Sequence, residues 1–150
     1  MNGKLVATAI VLPAILFGAL VYYTQVYAYY TRLDPQPMAL VRADGGTFPL
    51  RVADWQGIDA ASSPLRFRAC FRTALPQDTG FQPYPGAEPL VAPGWFSCFD
   101  AGAIEAGLAA GQARAYLGQR DIHPDVDRVI VVFDDGRAFA WQQLNPSAKD

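Results

Sequence analysis

Cys70 and Cys98 are the residues of this chain whose type most directly suggests chemistry. Two cysteines are too few for a disulfide scaffold or a four-cysteine zinc site. In an oxidising compartment the simplest outcome is one structural disulfide, which would constrain the unfolded chain by roughly 3–4 kcal/mol. A pair of redox-active or metal-binding thiols is the alternative, because Cys98 precedes a predicted helix N-terminus, a position that activates thiols. The sequence has no CxxC motif and favours the disulfide.

A second group of chemically suggestive residues alternates in DIHPDVD, where Asp121, His123, Asp125 and Asp127 stand. Oxygen ligands at such spacing can hold Ca²⁺. The segment lacks the turn glycine and the distal glutamate of an EF-hand, however, and Pro124 interrupts it. We therefore predict a solvated connection between a helix and a strand, with no metal bound.

Catalytic motifs are missing from the sequence. His123 is the sole histidine, so a Ser–His–Asp or Cys–His site would have to use it. We find no nucleophile elbow, Walker loop, GxGxxG, HExxH or CxxCH. The formal net charge of −2 excludes a nucleic-acid binder that works by neutralising phosphates. The sequence therefore predicts a protein that is not an enzyme, carries no cofactor and binds no nucleic acid.

The first 30 residues predict a membrane anchor. The uncharged run Leu5–Tyr30 is long enough, as a helix, to cross a hydrocarbon core of about 30 Å. Lys4 and the terminal amine favour a cytoplasmic N-terminus and an exported C-terminal portion. A secretory signal peptide is the competing interpretation, since Val26–Ala28 fits a small-residue cleavage site. The length of the run and its flanking tyrosines favour the anchor.

Tyrosines gather where this helix would leave the lipid. Tyr23, Tyr27 and Tyr30 follow the i, i+4, i+7 spacing that places side chains on one helical face. An aromatic belt that anchors the helix at the membrane interface is the simpler interpretation. The same three residues are candidates for binding a neighbouring membrane protein.

The remaining chain is interpreted as a tether, residues 31–47, followed by a domain, residues 48–150. DPQP breaks a continuing helix, and DGG indicates a turn. FPLRVADW and LRFRACFRT then resemble strands. In the second strand, alternation predicts a buried face containing Phe67, Ala69 and Phe71 and a wet face containing Arg68 and Cys70.

Pro76–Pro93 is a proline-rich loop of a length that is usually functional or disordered. Its apolar residues argue against free disorder and predict that it lies across the domain surface or across a partner. Aromatic residues left exposed here would be binding anchors, because aromatics dominate interface hot spots. The candidates are Phe81, Tyr84, Trp95 and Phe96.

The last part of the chain predicts a helix and a hairpin. Asp100 is a good N-cap for a helix over residues 101–119. Small residues recur every four positions along this predicted helix, at Ala103, Gly107, Gly111 and Ala115. One helical face therefore lacks large side chains, and we expect this face to pack on the domain's own sheet. Asp-Gly between RVIVVF and RAFAWQQL is a strong hairpin signal. The fold class is therefore α+β: an N-terminal transmembrane helix, then a small antiparallel sheet with one covering helix.

The segments SSPLRFRACF, YPGAEPLVAPGWFSCFDA and DRVIVVFDDGRAFAWQQLN follow MNGKLVA and an apolar run. Over nearly its whole length the chain resembles a family of short uncharacterised alphaproteobacterial proteins with one N-terminal span. Some members are labelled histidine kinase. That label does not fit this sequence, which has no nucleotide-binding domain or glycine-rich ATP lid and only one histidine, in an acidic loop. The resemblance implies a Gram-negative inner-membrane protein with a periplasmic domain, and it supplies no catalytic residue.

Three functions from different classes follow from these observations. The leading hypothesis is a non-enzymatic accessory subunit or assembly factor of a larger inner-membrane complex, with respiratory and photosynthetic complexes as candidate hosts. Its partners would be the lipid bilayer and that complex. The second is a periplasmic thiol- or metal-handling factor that uses Cys70 and Cys98. The third is a membrane-tethered ligand-binding domain, which requires a lined pocket.

Overall fold

The computed structural model describes residues 2–76 and 80–149, and the chain divides into two compact units, one ending at Tyr30 and one beginning at Thr31. The predicted α+β class is confirmed: a long apolar N-terminal helix precedes a small domain with an antiparallel sheet and one covering helix.

The N-terminal unit is one continuous helix. Helix α1 (Gly3–Tyr23) begins after Asn2, whose side-chain oxygen accepts a 3.3 Å hydrogen bond from the Lys4 N–H. The helix continues as a π-helical turn, Thr24–Ala28, and none of its residues is buried. The whole segment Gly3–Ala28 is long and apolar enough to cross a membrane, and an N-terminal signal sequence would have the same character.

The tyrosines of this unit cluster at the π-helical turn. The Tyr23 ring stacks on Tyr27 at 6.0 Å between centroids, and Tyr22 meets Tyr27 edge-on at 6.3 Å. Tyr30 is the first residue of strand β1 (Tyr30–Leu33) and does not lie on the helix. The prediction that Tyr30 shares a helical face with Tyr23 and Tyr27 is therefore wrong, because the helix ends before Tyr30.

The predicted tether over residues 31–47 is wrong, because this segment contains β structure. Strand β2 (Met38–Val41) pairs antiparallel with β3 (Thr47–Leu50), and Met38 and Leu40 are buried. Both side chains point to the same face because strand side chains alternate. DGG forms the turn of this hairpin, with Gly45 at a positive φ of 88°. The proline and glycine signals thus mark the ends of a short strand.

The second unit is built around a six-stranded sheet. Besides β1, its strands are β4 (Ala53–Ala60), β5 (Arg68–Arg72), β6 (Ala113–His123), β7 (Val126–Phe133) and β8 (Arg137–Leu144). Their order in the sheet is β1-β4-β5-β8-β7-β6. From β4 to β6, each neighbouring pair is antiparallel. The predicted hairpin is confirmed, since β7 and β8 pair across residues 134–136 with Gly136 at a φ of 88°.

The predicted helix over residues 101–119 is wrong beyond its first half. Helix α2 spans Ala101–Ala109, with the Asp100 side chain accepting from Ala103 N–H at 3.0 Å. Gly111 ends it at a positive φ of 72°, and hydrogen bonds from Gly111 N to Leu108 O and from Gln112 N to Gly107 O complete a Schellman motif. Residues 113–123 then pair with β7, because long-range strand pairing outweighs their helical propensity.

Apolar residues are buried on both faces of the large sheet. One face packs against the small β2–β3 sheet around Phe67, Phe71 and Ile130. The other face is covered by α2 and by the aromatic segment before it, where Phe99 meets the ring of Trp141 at 6.2 Å. The predicted close approach of α2 holds at Gly107, which faces the ring of Phe133.

The described part of the proline-rich segment joins the two sheets. Gln82 N donates to Val41 O of β2 at 2.8 Å and Gln82 O accepts from Leu117 N of β6 at 3.1 Å. Tyr84 N donates to Ala115 O of β6 at 2.9 Å. Residues 80–84 therefore lie between β2 and β6 as an extended connection within the domain.

Candidate functional site

A cleft of about 600 Å³ lies at the end of the large sheet where β5 ends and the β7–β8 turn begins. Its volume is in the range of small-molecule sites. Apolar side chains from separate parts of the domain line it, namely Leu75, Phe81, Tyr116 and Val132. Arg51, Arg72 and Arg114 also line it, and the three residues come from three separate segments of the chain.

Two of these arginines are free to meet a ligand. Arg72 is held in place, because its Nη2 donates to the backbone oxygen of Asp135 at 2.8 Å. Arg51 and Arg114 are exposed, and their side chains make no hydrogen bond or ion pair with any residue that the structure describes. Unpaired guanidinium groups beside a concave surface suit carboxylate or phosphate groups, which accept paired hydrogen bonds from the guanidinium fork.

Two carboxylates also line the cleft, those of Asp134 and Asp135. The Asp135 carboxylate accepts from Arg137 Nε at 2.7 Å and from Arg137 N at 3.0 Å. These hydrogen bonds lower the pKa of Asp135 below its ordinary value, so it is anionic at neutral pH. Because Arg137 lies beside it, the Asp135 charge is largely compensated, and the arginines dominate the remaining field.

Thr73 lines the cleft and carries a buried hydroxyl. Its backbone N–H donates to Gly136 O at 2.9 Å, which fixes the residue against the β7–β8 turn. Its side chain is buried, with 8% of the residue exposed, and Oγ1 has no hydrogen-bond partner among the residues that the structure describes. The hydroxyl is therefore enclosed beside the cleft and not exposed in it.

The aromatic residues predicted to bind a partner are mostly buried. Phe81, Tyr84 and Phe96 are only 4%, 6% and 2% exposed, so their prediction as contact residues is wrong. They are buried because the proline-rich segment folds onto its own domain. Trp95 is half-buried, with the guanidinium of Arg32 5.4 Å from its ring centroid. Tyr23 and Tyr27 lie on the unburied N-terminal helix and stay candidates.

The cysteines form the predicted disulfide, Cys70–Cys98, across 28 residues of sequence. It ties β5 to the segment that precedes α2. The prediction of a wet face on β5 is wrong, because Arg68 and Cys70 are 4% and 7% exposed. Arg68 is satisfied in the interior by backbone oxygens, including Leu90 O at 2.9 Å from Nε. The alternation of residues within β5 cannot predict that the distant segment around residues 90–99 covers this face.

The acidic segment 121–127 is organised around Asp127, which is fully buried. Its carboxylate accepts from Tyr84 Oη at 3.1 Å and from Asp121 N at 2.9 Å, and Arg120 Nη1 lies 3.6 Å away. Burial and the neighbouring Asp127 carboxylate raise the pKa of the Tyr84 phenol. Within residues 2–76 and 80–149, no group of three or more His, Cys, Asp or Glu is placed to hold a metal. The contacts with Tyr84, Asp121 and Arg120 give Asp127 a structural role in this segment.

Sequence reasoning did not find the cleft. Its arginines, Arg51, Arg72 and Arg114, are each surrounded by ordinary strand residues, and no motif links them. The strand pairing of β5 with β4 and β8, and of β6 with β7, brings them to one end of the sheet.

Comparison with known proteins identifies a family. No curated protein and no solved structure matches the chain. The model of a family of unknown function, DUF6446, matches residues 38–150, which begin with β2 and include the cleft and the disulfide. The chain therefore belongs to DUF6446, a family of unknown function.

Proposed function

We propose that this protein is a non-enzymatic accessory subunit or assembly factor of a larger protein complex in the inner membrane of an alphaproteobacterium. The observation that carries the proposal is the contrast between the two units. Leu5, Ile10 and Phe17 of α1 are each more than half exposed, and no residue of the helix is buried. In the second unit most large apolar residues are buried. Such a helix requires a lipid or protein environment.

The sheet domain is assigned to the periplasm. Lys4, in the first turn of α1, is the positive residue that precedes the apolar run, which favours retention of the N-terminus in the cytoplasm. The Cys70–Cys98 disulfide agrees with an oxidising compartment. The resemblance to alphaproteobacterial single-span proteins, some labelled histidine kinase, supports the same placement.

Retention of the helix is tested first. We expect the membrane fraction to yield a chain that still contains residues 5–30, extracted by detergent and not by alkaline carbonate. A mature protein that begins near Tyr29, or that is recovered in the aqueous fraction, would refute the anchor. Intact-mass measurement of the purified protein distinguishes the two results.

Docking is tested by purification through a C-terminal tag in mild detergent from the native host. We expect partners in stoichiometric amount, and we expect Tyr23→Ala with Tyr27→Ala to reduce their recovery. The matched control is Leu5→Ala with Leu16→Ala, which removes exposed apolar side chains from the same helix away from the tyrosine cluster. A protein that purifies alone and monomeric would contradict the accessory role.

A membrane-tethered ligand-binding domain is the second candidate function. The observation that favours it is the lined cleft with the exposed side chains of Arg51 and Arg114. The thiol- and metal-handling alternative has less support, because both cysteines are disulfide-bonded and Cys70 is buried.

A further inference from the structure

We propose that the arginine cleft binds a small organic monoanion, a carboxylate attached to an apolar body. The inference rests on the second candidate function, the ligand-binding domain, and does not depend on docking to a membrane complex. It is drawn from the charges, the free polar atoms and the apolar wall of the cleft.

The charge balance of the lining favours one negative charge. Among the described residues, the lining holds three arginines and two aspartates, a formal excess of one positive charge. A carboxylate carries one negative charge at neutral pH, whereas a phosphate monoester carries roughly 1.5 to 2. The Asp134 carboxylate, which unlike that of Asp135 is not paired with Arg137, would repel the second charge of a phosphate. Arg51 and Arg114, which have no partner among the described residues, supply the donors for the first.

The apolar wall indicates what the carboxylate is attached to. Leu75, Tyr116 and Val132 contribute hydrocarbon or ring surface to the same cleft. Binding sites commonly combine such a wall with a few polar groups that fix orientation. The side chains of Arg51 and Arg114 are such groups, because a guanidinium fork can donate paired hydrogen bonds to a carboxylate. An inorganic anion has no apolar part that could pack against the apolar side chains of the cleft.

The test is a calorimetric titration of the full chain in a nonionic detergent. The probe is 3-phenylpropanoate, and its matched neutral control is 3-phenylpropanamide. We expect the carboxylate to bind at least about tenfold more tightly than the amide, since hydrogen bonds to charged groups contribute about 1.5–3 kcal/mol. We also expect it to bind more tightly than acetate, which lacks the apolar body, and than inorganic phosphate.

Variants locate the binding. Arg51→Gln and Arg114→Gln should each weaken 3-phenylpropanoate at least about tenfold, while Lys4→Gln, which removes one positive charge from the N-terminal helix, should leave it unchanged. Equal binding of acid and amide, tighter binding of phosphate, or no effect of either arginine would each overturn the proposal. The comparison of acid with amide uses the unmodified chain, so it decides the question even where a variant fails to fold. Co-purification of partners is unaffected by these outcomes, so the two proposals fail separately.

Discussion

The hydroxyl of Tyr84 donates a 3.1 Å hydrogen bond to Oδ2 of the fully buried Asp127. Tyr84 belongs to the proline-rich segment and Asp127 to β7, so this bond links the segment to the large sheet near one of its edges. Gln143 of β8 adds a second link, because its side chain donates to Gly86 O and accepts from Glu88 N. The segment is therefore held by polar contacts to buried side chains as well as by its buried rings.

Removal of the Tyr84 hydroxyl should destabilise the domain. Tyr84→Phe keeps the ring in place and deletes one bond to a charged acceptor, which costs about 1.5–3 kcal/mol of unfolding free energy. Urea unfolding of the full chain in detergent, followed by tryptophan fluorescence, measures this loss. Tyr22→Phe is the matched control, because Tyr22 is 61% exposed on the N-terminal helix. Equal stability of the two variants would contradict the structural role of this bond.

The same pair predicts a response to alkaline pH. Burial and the nearby carboxylate of Asp127 raise the pKa of Tyr84 above the ordinary value of 10.0. Above pH 10 the unfolded chain releases this proton while the folded chain keeps it, so stability must fall as the pH rises. We expect the midpoint of thermal unfolding to fall more steeply above pH 10 in the natural sequence than in Tyr84→Phe. Parallel profiles would show that Tyr84 titrates normally.

Loss of the disulfide should cost more than loss of any one hydrogen bond. The Cys70–Cys98 bond closes a loop of 28 residues, and in the chain-entropy model its removal costs about 3–4 kcal/mol. We expect Cys70→Ala with Cys98→Ala to unfold at correspondingly lower urea concentration. Reductant should lower the stability of the natural sequence toward that of the double variant and leave the double variant itself unchanged. If reductant has no effect and mass spectrometry finds free thiols, the bond does not form.

Two glycines of α2 should respond oppositely to alanine. A Cβ at Gly107 would lie 2.6 Å from Cζ of Phe133, whereas a Cβ at Gly102 meets only Asp100 Oδ1 at 3.5 Å. Gly107→Ala should therefore lose about 1–3 kcal/mol through overpacking. Gly102→Ala should gain up to about 1 kcal/mol, because alanine favours the helix. Thermal unfolding of the two variants compares them directly, and stabilisation by both would show that α2 does not pack closely on β7.

Short stretches of sequence predicted the elements that interactions between neighbouring residues determine. An uncharged apolar run predicts a helix from hydropathy alone, and Asp100 predicts the start of α2 because a side-chain cap acts within one helical turn. The β7–β8 hairpin is equally local, since Gly136 supplies the positive φ that its turn requires. The cysteine pair was predicted from the small number of cysteines and the expected compartment.

The sequence by itself thus determined the apolar N-terminal helix, the hairpin, the disulfide pair and the α+β class. Tertiary structure alone decided that residues 113–123 form β6, that Met38 and Leu40 are buried in a strand, and that Arg68 lies in the interior. It also decided that Arg51, Arg72 and Arg114 meet at one cleft. The physical reason is that these outcomes depend on which distant segments pair or cover one another, and such long-range contacts leave no periodicity within the segments themselves.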